Sequence, residues 1–177
     1  RVWWMLRAIG FDKASVLNGG FMEWERLALP TESTVNNFRP ADFKVQLKPH
    51  IFVGKEKVLE AIGEESSLLL NALTEDLHIG ENPRYGRLGR IPNSLNIPFH
   101  CLVDAGTGKF KPPVDAVHLF TENGITPNLE IINYCGGGIA ATLDAFVLHQ
   151  IGFPKLQIYD NSMNEWAMNE DLPIEVG

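Results

Sequence analysis

The chain has 177 residues, 45% apolar and 21% charged, enough for one full domain and something more. Its formal net charge of -7 argues against a nucleic-acid binder, which usually presents a basic face. No apolar run approaches the roughly 20 residues of a membrane span, and two cysteines in a domain of this size point to a reducing, cytoplasmic setting rather than a disulfide framework.

The first residues, Arg1-Val2-Trp3-Trp4, have neither an initiator Met nor a signal-peptide layout and read as a cut end. An internal repeat then appears at an offset of 142, the difference between Leu148 and Leu6. Ile9 falls on Ile151, Gly10 on Gly152, Phe11 on Phe153, Lys13 on Lys155, Glu23 on Glu165 and Trp24 on Trp166. Both stretches reach Leu-Pro, at Leu29-Pro30 and Leu172-Pro173, with one residue of slip. The repeat predicts residues 1–34 to be the C-terminal remnant of a first domain, holding one helix, one strand and one short helix. Such a remnant is too small to bury a core and is expected to order only by packing on something else. Residues 35–52, with Pro40 and Pro49, read as a linker with one weak strand around Phe43-Val45-Leu47. Residues 53–177 read as one complete domain.

Within that domain, residues 55–62 carry Val58, Leu59 and Ile62 at helical spacing and stop at Gly63. Residues 67–70, 95–97, 131–134 and 156–159 are short apolar runs suited to buried strands. Residues 114–122 and 140–151 read as helices ended by Gly124 and Gly152. Ser162-Met163-Asn164-Glu165 fits a capping box opening a last short helix. Strands alternating with helices imply an α/β fold, a parallel sheet flanked by helices on both faces. Sites in such sheets lie beyond the carboxyl ends of the strands.

Cys135 stands at such a place, where a strand runs into Gly136-Gly137-Gly138-Ile139-Ala140 and a helix. Glycines let successive N–H groups point inward as an anion-binding nest, and the helix start adds unsatisfied N–H groups. Both favour thiolate over thiol, and the thiolate is the nucleophile. The same donors, on Gly136, Gly137, Gly138, Ile139 and Ala140, can hold a persulfide or a substrate anion. Cys101 has no such nest and reads as a semi-buried free thiol. Neither cysteine has metal-ligand spacing, so no metal site is expected. The histidines have no partners at catalytic spacing, and Trp24 and Trp166 read as core plugs. A thiolate phosphatase would need an arginine about six residues beyond the cysteine, where this chain has Ala140, Ala141 and Thr142.

Gly89-Arg90-Ile91-Pro92-Asn93-Ser94-Leu95-Asn96-Ile97-Pro98 precedes the cysteine loop, and Tyr159-Asp160-Asn161-Ser162 with Glu165-Trp166 follows it. This pattern resembles the rhodanese family, and Asn18-Gly19-Gly20-Phe21-Met22-Glu23-Trp24 matches the same closing segment in the first copy. The resemblance implies a rhodanese-like fold and, for tandem copies with the nucleophile in the second, a sulfurtransferase of the thiosulfate or 3-mercaptopyruvate type. It implies that Cys135 is the catalytic residue, taking a sulfane sulfur from a small-molecule donor and passing it from a persulfide to a thiol or cyanide acceptor, without a cofactor. It also places an arginine at the mouth of the site, so at least one of Arg84 and Arg87 is expected to be a substrate ligand. The residues after the cysteine are typically basic in the thiosulfate type and Gly-Ser in the mercaptopyruvate type, so Gly136-Gly137 favours 3-mercaptopyruvate. Asn71, Arg90, Asn93, Ala140 and Asn161 depart from the family pattern. The alternative is a non-catalytic rhodanese-like module used for binding or regulation.

Overall fold

Short runs of leucine and β-branched residues, set between glycine and proline turns, pair side by side once each has a neighbour on both edges. The computed structural model describes residues 1–177. Five strands form one parallel sheet: β1 (Phe52–Val53), β2 (Ser67–Asn71), β3 (Leu95–Asn96), β4 (Glu130–Tyr134) and β5 (Leu156–Tyr159). Their order is β1-β5-β4-β2-β3, which leaves β4 in the middle, Ile132 facing Leu69 on one neighbour and Gln157 on the other.

The two-residue period of the strands separates two cores. Leu69, Ile132, Tyr134 and Tyr159 point to one face, Leu70, Ile131 and Ile158 to the other. On the first face pack α3 (Lys55–Ala61), α4 (Glu75–Ile79) and α7 (Ser162–Trp166), through Val58, Leu77 and Trp166. On the second pack α5 (Pro113–Glu122), a 3-10 turn (Phe99–Leu102) and most of α6 (Ala140–Gln150), through Phe120, Leu102 and Leu148. The expected α/β sheet with helices on both faces is therefore present. The strands and longer helices lie within a residue or two of the expected ranges. Two elements escaped the periodicity argument, β1 and α4, because two and five residues are too few to show a period.

Residues 1–34 contain α1 (Val2–Ala8) and α2 (Gly20–Arg26), but no strand between them. The repeat counterpart of β5 is residues 14–17, and these have no sheet edge to pair with, so the strand does not form. The weak strand around Phe43-Val45-Leu47 is also absent; Gln46 and Lys48 instead donate N–H bonds to the Ile9 and Ala8 carbonyls at the end of α1. Helix α1 packs on the second core. Trp4 is buried and its indole donates to the Thr142 carbonyl at 2.9 Å, while Trp3 meets Phe146 edge to face at 4.8 Å. The repeat survives in one bond: the Trp166 indole donates to Pro173 O at 2.7 Å, and the Trp24 indole to Pro30 O at 3.0 Å. Trp166 fills the first core; Trp24 has no sheet of its own to fill and is only half-buried.

One buried group works against the fold. Asp144, in the middle of α6, is fully buried, and neither carboxylate oxygen has a hydrogen-bond partner. Burial raises its pKa well above the ordinary carboxylate range. The folded chain thus holds this proton more tightly than the unfolded chain, whose aspartates titrate near pH 4. The stability contributed is complete below that pH and is lost as pH rises toward the folded value. Asp144→Asn is expected to flatten this decline. Urea midpoints should show little difference from the parent near pH 4 and a gain on the order of 1–3 kcal/mol at pH 7, the scale of an uncompensated buried polar group.

Candidate active site

The sheet ends at Tyr134, and the next residue, Cys135, leaves its carboxyl edge beside the start of α6. The loop's carbonyls are drawn to one side. Met163 N–H donates to Cys135 O at 3.1 Å and Asn164 N–H to Gly136 O at 2.8 Å, so the first turn of α7 claims both oxygens. A peptide whose oxygen faces out presents its N–H to the opposite side. The N–H groups of Gly136, Gly137, Gly138 and Ile139 accordingly donate to no protein atom. Four successive donors without a protein acceptor thus precede an 11-residue helix, at the place where the sequence suggested an anion-binding loop.

Ser162 is the hinge of this arrangement. Its hydroxyl accepts the Cys135 N–H at 3.0 Å and donates to Tyr159 O at 2.7 Å. The capping box expected between Ser162 and Glu165 does not form: Asn161 is the N-cap, no side chain caps the helix, and Ser162 sits at φ +51. The left-handed turn aims its hydroxyl at the cysteine peptide instead of its own helix.

The glycines are there for space as well as for donors. Gly138 has φ +69, and a Cβ there would lie 2.7 Å from an Asp160 carboxylate oxygen. A Cβ on Gly136 would collide with the phenol of Tyr85. Tyr85 therefore lies directly on the cysteine loop, and it packs against the core cluster that contains Cys135. The cysteine is only 2% exposed. Ile139 is largely exposed, at 69%, and Ala140 opens α6 beneath it.

The two expected arginines part company. Arg84 is exposed and stacks its guanidinium over the Tyr85 ring, 5.7 Å from the centroid. Arg87 turns the other way. Its guanidinium donates to Ala167 O at 3.0 Å, Leu172 O at 2.9 Å, Trp166 O at 3.0 Å and Asn169 O at 2.6 Å. With four backbone carbonyls around it, Arg87 is an anchor, not a free ligand for substrate. Its hold on the turn after α7 fixes the segment that lays Tyr85 on Gly136, with Arg84 stacked on the Tyr85 ring. Arg90, one of the departures from the family pattern, pairs with Glu175 and donates to Gly177 O at 2.6 Å.

Other residues near the loop carried no sequence signal. Arg1 donates to Gly137 O at 3.1 Å and to Asp160 at 2.6 Å, from the start of α1. A cleft of about 240 Å³ opens there, lined by Arg1, Gly137, Asp160, Asn161, Asn164 and Glu165. At the end of β2, Asn71 bonds Leu73 N–H through its oxygen and the His78 ring through its amide at 3.0 Å. Burial, with Arg90 nearby, lowers the His78 pKa to about 4, so the ring is neutral and accepts that bond. His78, read as bland in sequence, is thus a structural partner of Asn71, one of the departures from the family pattern. Cys101 is partly buried, on the 3-10 turn away from the loop.

Residues 56–169 match the family model described as "Rhodanese-like domain". The chain is 33% identical over 178 aligned residues to the 3-mercaptopyruvate sulfurtransferase of Escherichia coli K12, covering 99% of this chain and 63% of that protein. It is 33% identical to the 3-mercaptopyruvate sulfurtransferase of Homo sapiens, covering 95% of this chain and 57% of that protein. The chain therefore spans less than two thirds of the length of these relatives. Among solved structures it superposes on the anaerobic ergothioneine biosynthesis enzyme from Chlorobium limicola, crystallised with trimethyl histidine, with a TM-score of 0.88 and 21% identity. That superposition covers 100% of this chain and 44% of the other and is a likeness of fold.

Arg87→Ala strands four carbonyls and frees the segment above the cysteine. We expect a loss of about 2–4 kcal/mol of stability, given that bonds to charged donors contribute roughly 1.5–3 kcal/mol each and do not add. Arg87→Lys should recover little of it, because one ammonium cannot reach four fixed acceptors. Denaturant titration of both variants checks this.

Proposed function

The chain belongs to the rhodanese-like domain family, and from that premise we propose that it is the catalytic part of a sulfurtransferase with Cys135 as nucleophile. The observation that carries the reading is the run of four unpaired N–H groups directly following a cysteine at the end of a central parallel strand. A thiolate gains from those donors. So does a persulfide, which places its second sulfur where a substrate anion would sit.

The reaction runs in two halves. The Cys135 thiolate attacks the outer sulfur of a small-molecule donor, the donor's bond to that sulfur breaks, and its electron pair leaves with the donor remnant. A thiol or cyanide acceptor then attacks the outer sulfur of Cys–S–S⁻ and regenerates the thiolate. The protein contributes thiolate stabilisation, donor orientation and exclusion of water. Neither half calls on a metal or an organic cofactor, and the chemistry suits a reducing compartment such as the cytoplasm.

For the donor we favour 3-mercaptopyruvate over thiosulfate. The loop carries no cationic side chain, and Tyr85 occupies the space that a side chain at Gly136 would need. A cation about 4 Å from a doubly charged donor is worth roughly 4 kcal/mol per charge at an effective dielectric near 20, before desolvation. The cations near the loop come from other segments, and of these Arg1 is already paired with Asp160, so a doubly charged donor gains less here than from basic side chains on the loop itself. A carboxylate-bearing thiol asks less of it: one guanidinium can grip the carboxylate through paired bonds, and Arg84 is exposed above the loop for that purpose.

Incubation with each donor followed by intact-protein mass spectrometry tests the assignment. Cys135 should gain the mass of one sulfur, Cys135→Ser should gain none and lose turnover, and Cys101→Ser should behave as the parent. Turnover retained in Cys135→Ser sinks the enzyme reading and leaves a binding module. Arg84→Ala is expected to raise KM for 3-mercaptopyruvate about 10- to 100-fold with a smaller change in kcat, the scale of one charge-assisted pair. A higher kcat/KM for thiosulfate than for 3-mercaptopyruvate overturns the donor assignment.

A further inference from the structure

Removing sulfur from an α-keto thiol leaves an enolate, and something must protonate it. The loop positions that could carry a hydroxyl, 137 and 140, hold Gly137 and Ala140. Nearby hydroxyl protons are already committed. Ser162 donates to Tyr159 O at 2.7 Å and Thr142 donates to Ile139 O at 2.6 Å. Tyr134 and Ser94 share a bond at 2.7 Å inside the core. Asp160 is paired with Arg1, Glu165 accepts from Tyr159, and His78 is neutral and bonded to Asn71 at the end of β2.

Tyr85 is different. Its half-buried phenol rests on Gly136, with the hydroxyl nearest the place a side chain there would take. We propose that Tyr85 is a catalytic acid of this site, donating its phenolic proton to the enolate released from an α-keto thiol donor. The inference rests on the sulfurtransferase reading above and deepens it.

The step balances without an outside reagent. The Cys135 thiolate bonds to the donor sulfur, the carbon–sulfur bond breaks, and its electron pair flows into the adjacent carbonyl to give the enolate. The Tyr85 hydroxyl gives its proton to that enolate, which becomes the keto acid. The phenolate takes back the proton carried on the outer sulfur, leaving Cys–S–S⁻ and neutral Tyr85. The net change moves one proton from sulfur to carbon and one sulfur from carbon to Cys135.

The surroundings keep the phenol in the donating form. Burial raises its pKa, Arg84 opposes this, and the negative charge on Cys135 adds to the rise. Arg84 stacked on the ring holds the phenol down and brings the guanidinium that would take the carboxylate next to the acid. The position of Tyr85 depends on Gly136, since any side chain there displaces the ring. The two missing features of the loop, a side chain at Gly136 and a hydroxyl at Gly137, are thus met by one residue from another segment.

Tyr85→Phe in the full chain provides the test, because it keeps the ring and removes the proton. Thiosulfate releases sulfite, which departs as an anion and needs no proton. The ratio of kcat with 3-mercaptopyruvate to kcat with thiosulfate should therefore fall about 10²-fold in the variant, within the range of general acid catalysis. The parent should also show an alkaline limb in kcat with 3-mercaptopyruvate, as the phenol ionises, and the variant should lack it. If the parent forms the Cys135 persulfide but the ratio and the alkaline limb are the same in both proteins, Tyr85 is not the acid and the sulfurtransferase reading stands. If the parent forms no persulfide with either donor, that reading fails and takes the acid with it.

Discussion

The Cys135 amide donates to the Ser162 hydroxyl, and that hydroxyl donates to the Tyr159 carbonyl. These two bonds tie the ends of β4 and β5 together where the sheet stops supplying partners. Everything in the site depends on the tie. It holds the first peptide of the loop, the start of α7 captures the next two carbonyls, and the N–H groups that follow are left without a protein acceptor. The unpaired N–H groups beside the cysteine are a consequence of where the oxygens are held, and they supply positive polarity without a charged side chain in a chain of net charge -7.

A second constraint acts from above. The segment between α4 and β3 has no regular structure and few apolar side chains to bury. Arg87 compensates by reaching four carbonyls around the turn after α7. A planar guanidinium with five donors suits such a cluster; the bonds fix both its position and its plane. What the anchor positions is chemically distinct from the anchor. Tyr85, two residues earlier, lies on Gly136, and Arg84 stacks on its ring. Two arginines that look equivalent in sequence therefore differ, one locked by four carbonyls and one exposed.

Residues 1–34 share a local bond with the end of the domain, but not a strand. The indole-to-proline bond forms at both Trp24 and Trp166, because all its atoms lie within one short stretch. The strand does not persist, because a strand's hydrogen bonds are made by its neighbours. Helix α1 is held by Trp4 against the second core, and the same helix delivers Arg1 to Gly137 and Asp160. The packing that buries an apolar face thus also sets a cation beside the cysteine loop.

The architecture was legible in the sequence because it rests on local pattern. Apolar runs between turn residues, glycines at helix ends and the order of strands and helices implied the parallel sheet, and the position of Cys135 between a strand and a helix implied its place at the carboxyl edge. The loop's run of unpaired N–H groups was legible too, since glycines before a helix start have few other uses. The remainder was settled by groups far apart in the chain. Whether Ser162 capped its own helix or held the Cys135 peptide turned on a left-handed backbone at one residue. Whether Arg84 or Arg87 stayed free turned on carbonyls some eighty residues away, at Trp166 and Ala167. Tyr85 gave no signal at all, since its importance lies in contact with a glycine, and a glycine presents no side chain by which sequence could announce a partner. Local periodicity and turn chemistry determine elements; hydrogen-bond capacity and free volume are shared among distant residues, and only the assembled structure decides which of them receives each.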